Sequence, residues 1–156
     1  MPEQVDEELE AVRSTSSNIL VDPTSLNAIA LIGDVSEETT NDIVYAMLLL
    51  NRKNTDEYLT TVLMMEKEEL EEIDVEKFKP NIDFYISTNG GSADEMFGIY
   101  DIIRMIKDEG VNSISTYGIG KVMSAGVLLL ASGTKGKRHV GKYCRVMIHS
   151  VIGGHI

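Results

Sequence analysis

A single cysteine, Cys144, in 156 residues rules out an internal disulfide framework and fits a reducing compartment. No apolar run reaches the ~18 residues a membrane-spanning helix needs. Residues 1–10 are acidic and lack the apolar stretch of a secretory leader, so the expected address is cytoplasmic. Positive charge is scarce, with 14 Lys and Arg against 25 Asp and Glu and a formal net charge of −11. Phosphate backbones and anionic lipid need basic side chains to neutralise them, so neither nucleic acid nor membrane is the expected main partner. What remains is ordinary globular material. Hydrophobic residues make up 43% and charged residues 25%, which excludes disordered and low-complexity classes. The length suits one domain.

Residues 1–25 are polar, with a Ser/Thr cluster at 14–17, and read as an N-terminal arm ahead of a domain spanning 26–156. The run LNAIALI at 26–32 is a short apolar strand stopped by Gly33. Ser36 then caps a helix whose apolar stretch at 43–50 ends at the polar group Asn51–Asn54. Residues 53–80 change character. They are acidic, with EKEELEEIDVEK at their centre, and their apolar residues recur at helical spacing, which predicts an amphipathic helical insertion on the surface. NIDFYIS at 81–87 alternates as a strand does, and a turn at 88–91 leads to Ser92 and Glu95, placed as a capping box for a helix to about Lys107. A strand at 111–119, a short apolar helix at 124–131, a basic turn and a last strand at 145–149 complete the chain. Alternating strands and helices imply right-handed crossovers and largely parallel pairing, an α/β fold.

Familiar signatures fail on spacing. The GIG at 118–120 lacks the third glycine of a dinucleotide fingerprint, and GTKGK at 133–137 is not a P-loop. His139, Cys144, His149 and His155 are strung too evenly along the chain to suggest a metal site. Two features carry chemistry. Gly90 and Gly91 stand between a strand end and a capped helix, where a bare backbone lets a ligand approach and offers N–H groups to an anion. The bland alternative is a tight turn. Ser124 stands between a strand and an apolar helix with small neighbours Ala125 and Gly126, as a nucleophile at a helix start would, or as a plain N-cap. Val122 breaks the G-x-S-x-G pattern of hydrolase elbows. His149 is a candidate base, although a lone histidine after a strand is more often structural.

The segments FYISTNGGS, GIYDIIRMIK, MSAG, ASGTKGKR and RVMIHSVIGG, with the serine 25 residues ahead of the histidine, resemble the proteolytic subunit of the caseinolytic (Clp) protease family, from about residue 26 to 154. The resemblance implies a crotonase-like spiral of βαβ units. It implies a serine endopeptidase with Ser124 as nucleophile, His149 as general base, and Gly91 and Ala125 as oxyanion-hole donors. Ser92, Ala93 and Ile152 are implied to hold the substrate as an added strand. Heptameric rings, paired into a double ring, would enclose a chamber fed with unfolded polypeptide by an AAA+ unfoldase. ATP is used by that partner, and no cofactor is expected in this subunit.

The chain departs from the family pattern at several points. Asn89 stands where a proline is usual, which is expected to loosen the turn. Met123 and Ala125 replace the common pair about the serine, and Ser150-Val151 replace Gln-Pro after the histidine. No counterpart of the family's downstream Asp, the third triad member, precedes Ile156, so the sequence reads as C-terminally incomplete. That gap keeps open a non-catalytic ring subunit or structural paralogue, and more weakly a crotonase-like acyl-CoA enzyme.

Overall fold

The computed structural model describes residues 27–65 and 74–150. The proposed N-terminal arm, the centre of the 53–80 segment and Ile152 lie outside the described residues. In chain order the elements are β1 (Ala28–Ile32), α1 (Glu37–Met64), a 3-10 turn (Val75–Phe78), β2 (Asn81–Thr88), α2 (Ala93–Asp108), β3 (Ser113–Met123), α3 (Ala125–Ser132), β4 (Arg138–Val140) and β5 (Arg145–Met147).

The sheet runs β1-β2-β3-β4, with β5 also on β3, and every pairing is parallel. Because strand order follows chain order, right-handed crossovers carry all three helices to one face. The alternation in β2 therefore splits cleanly. Ile82, Phe84, Ile86 and Thr88 are buried beneath the helices, while Asn81, Asp83, Tyr85 and Ser87 are half-buried on the other face. The core joins Ile29 and Leu31 of β1, Ile43 and Met47 of α1, Ile99, Ile103 and Ile106 of α2, and Leu129 of α3. Each such side chain contributes about 1.5–3 kcal/mol on burial. The face away from the helices carries a cross-strand aromatic row. Tyr85 stacks on Tyr117 at 4.8 Å between ring centroids, and Tyr117 on His139 at 4.7 Å. Burial, with Asp83 and Tyr117 beside it, raises the Tyr85 hydroxyl above its ordinary pKa.

Three expectations need correction. First, α1 does not stop at Asn51–Asn54 but continues unbroken to Met64, so residues 53–64 extend that helix rather than start a separate one. The reason is pairing. Asn51 and Asn54 are buried, and Asn112, ahead of β3, meets both: its Nδ2 donates to Asn51 Oδ1 at 2.8 Å and its Oδ1 accepts from Asn54 Nδ2 at 2.9 Å. Side chains that look like a polar stop are the polar part of the inward stripe. Second, the basic turn contains a strand, β4, whose residues are all exposed, and β5 ends at Met147, before His149. Third, Ser92 makes only half of a capping box. Its Oγ accepts from the Glu95 N–H, but its own N–H goes to the Val35 carbonyl at 3.0 Å. The complete box is at Ser36 and Thr39, ahead of α1.

Candidate active site

The parallel strands bring two turns together at their carboxyl ends. Between Ile86 and Thr88 the register on β3 jumps, Ile86 pairing with Gly118 and Thr88 with Val122. Gly120, at φ +63°, absorbs the extra residues. The ends of β2 and β3 are thereby level, and Gly90 meets Ser124. Space there is minimal: a β-carbon on Gly90 would lie 2.6 Å from Ser124 Cβ and 3.2 Å from the Ala125 nitrogen. Thr88 holds the turn, its Oγ1 accepting the Gly90 N–H at 2.9 Å, which offsets the loosening expected from Asn89.

Ser124 sits at φ 53°, ψ −122°, the one described residue other than glycine with positive φ. Such a conformation costs on the order of 1–3 kcal/mol and needs outside support. Two backbone bonds supply it: the Ser124 N–H donates to Met147 O in β5 at 2.8 Å, and its carbonyl accepts from the Val127 N–H at 3.0 Å. The backbone therefore makes a strained strand-to-helix elbow without the glycine that Val122 displaces. The side chain makes no capping bond. Instead Ser124 Oγ lies 2.8 Å from His149 Nε2, so the plain N-cap alternative does not describe this serine.

His149 reaches the serine because β5 pairs with the end of β3, Met123 opposite Met147. Its Nδ1 lies 2.6 Å from the Ser150 carbonyl oxygen. A carbonyl only accepts, so Nδ1 carries the proton there and Nε2 is the acceptor facing the serine hydroxyl. No ion pair among the described residues includes His149.

The two glycines divide their work. Gly91 bridges Val35 in parallel fashion, the Val35 N–H donating to Gly90 O at 2.8 Å and the Ser92 N–H to Val35 O. That pattern turns the Gly91 N–H away from Val35, and among the described residues it has no acceptor. Ala125 is the first residue of α3, so its N–H also lacks an intrahelical partner. Ser92 and Ala93 follow on the exposed rim. The backbone of Ser92 is committed, its carbonyl accepting from the Met96 N–H at 3.1 Å, whereas Ala93 opens α2 with its N–H unused. The sequence marks Gly126 only as a small neighbour of Ser124 and Thr88 only as part of a turn, and gives no sign of the contact between them. A β-carbon on Gly126 would come 2.3 Å from Thr88 Cγ2, so the bare glycine is what lets α3 close on β2.

Fold and site together define a mixed α/β protein with a mostly parallel sheet and a serine–histidine pair at its carboxyl edge. The family model described as Clp protease matches residues 61–155, and this chain belongs to that family. Its architecture is the crotonase-like layout of Clp proteases. The matched stretch takes in β2 to β5, the glycine turn, Ser124 and His149.

Proposed function

We propose that this chain is the proteolytic subunit of a Clp-type serine protease, cutting peptide bonds in unfolded polypeptides. The observation that carries the reading is the 2.8 Å contact between His149 Nε2 and a Ser124 hydroxyl that does no capping work. In this reading Ser124 Oγ attacks the scissile carbonyl carbon as its proton passes to Nε2 of His149. The negative charge moves to the carbonyl oxygen, which the N–H groups of Gly91 and Ala125 receive. His149 returns the proton to the leaving amine, the C–N bond breaks, and an ester to Ser124 remains. Water, deprotonated by His149, attacks that ester and releases the new carboxyl end. Ser92 and Ala93 form the edge along which the substrate lies, with the Ala93 N–H available to its backbone, and Ile152 keeps the role that the family resemblance implies. No cofactor enters these steps.

A cytoplasmic ring assembly of copies of this chain, supplied by an ATP-consuming unfoldase, completes the proposal. A fluorophosphonate probe tests the chemistry directly. Covalent labelling of Ser124, lost in Ser124→Ala and suppressed in His149→Ala, is the expected result. An unlabelled serine in correctly folded protein would favour the alternative, a non-catalytic member of the family. That alternative has one observation behind it: Nδ1 of His149 meets a neutral carbonyl rather than a carboxylate.

A further inference from the structure

At the opposite end of the sheet from Ser124, where β3 and β4 begin, lies a cavity of about 320 Å³. Lys79, Lys107 and Lys137 line it, against one acidic residue, Glu76. Ser113 and Thr134 add hydroxyls. This is an exception in a chain of net charge −11.

The positive charges are held in place but mostly not neutralised. Lys107 Nζ donates to the Ser132 and Gly133 carbonyls at 2.6 and 3.4 Å. Lys137 Nζ donates to Ser113 Oγ at 2.7 Å and Asn81 Oδ1 at 3.2 Å, and Arg138 Nε to Gly133 O at 2.8 Å. All these acceptors are formally neutral. The carboxyl end of α3 offsets only about half a charge. Lys79 alone has a carboxylate, Glu76 at 2.7 Å on the exposed turn. Burial above all lowers the pKa of Lys107; Arg104 and Arg138 act in the same direction and Asp108 opposes them.

An ammonium carries three protons. Among the described residues the bonds above leave one on Lys107, one on Lys137 and two on Lys79. Thr134 Oγ1 accepts the Ile114 N–H at 3.0 Å, and its own proton has no acceptor among the described residues. The donors come from separate elements around one recess. They are compact point charges with rotatable donors, as lysines that bind phosphate oxygens are, and several of them around one recess suit a multivalent anion. We infer that this cavity binds the phosphate groups of a small diphosphate anion, a site independent of the serine chemistry.

Calorimetric titration of the 156-residue chain with inorganic pyrophosphate at fixed ionic strength tests it, with ADP measured alongside. Saturable binding is expected. Equal affinity for ADP assigns recognition to the diphosphate alone, and tighter ADP binding adds the nucleoside. The Lys79→Gln/Lys137→Gln pair should weaken binding about 10-fold or more. Glu76→Gln, on an exposed turn and harmless to the core, should tighten it by freeing Lys79. Lys142→Gln, outside the cavity lining, should change nothing. Absence of saturable binding, equal weakening by Lys142→Gln, or failure of Glu76→Gln to tighten it would each overturn the assignment.

Discussion

Gly90 and Ser124 are packed against each other so closely that no side chain fits between them, Cβ to Cβ distance for a substituted Gly90 being 2.6 Å. Gly90 is also at φ +102°, where an L side chain is strained. Gly90→Ala should therefore cost about 2–5 kcal/mol of stability, from strain and overlap together. It should also remove fluorophosphonate labelling, because Ser124 must shift. Thermal unfolding and labelling of the same sample check both halves.

Ser124 itself should show a conflict between stability and chemistry. Ser124→Gly relieves the positive φ and should be about 1 kcal/mol more stable than Ser124→Ala, while both abolish peptide cleavage. Denaturant titration of the pair reads the difference. Equal stability would mean the elbow is not strained in solution.

Gly126 and Thr88 form a second tight contact, and it is reversible by design. Gly126→Ala drives a methyl into Thr88 Cγ2 and should cost about 1–3 kcal/mol. Thr88→Ser removes that methyl and keeps the hydroxyl that holds the Gly90 N–H. The double variant should recover most of the loss, which a double-mutant cycle measures as a coupling of at least ~0.5 kcal/mol.

Asn112 joins α1 to the start of β3. Asn112→Ala leaves the buried Asn54 Nδ2 without its acceptor and Asn51 Oδ1 without a donor. The expected destabilisation is about 2–4 kcal/mol. Amide exchange should show the second half of α1, from Asn51 onward, opening more readily than the first.

That asparagine contact also explains what could and could not be read from the residues alone. A strand within 26–32 and the alternation of β2 were legible because each follows a local pattern. The glycine pair, Ser124 and His149 each had a blander local reading, and only the resemblance of several separate segments to one family gave them roles. The continuation of α1 was not legible, since Asn51 and Asn54 look like a polar stop until Asn112, 58 residues from Asn54, comes beside them. β4 was hidden for the opposite reason: Arg138, His139 and Val140 bury nothing, and only the pairing with Thr116–Gly118 makes them a strand. Within the site, the sequence could mark a glycine pair but not the separate neighbours of its members, Ser124 for Gly90 and Val35 for Gly91. Those neighbours depend on the register jump in β3.

β5 has three residues, all exposed, and among the described residues β3 is its only strand partner. A strip of that size detaches at a small fraction of the free energy needed to unfold the core. When it lifts, Met147 releases the Ser124 N–H and His149 leaves with it, while Phe84, Ile99 and Leu129 remain packed. In the proposed protease the serine–histidine pair would then exist only in the docked fraction of molecules, and its reactivity would follow a local equilibrium rather than global stability. For the proposed activity, a ligand that clamps the outer edge of β5 would be an activator, and one that peels the strand away would silence the pair without denaturing the protein.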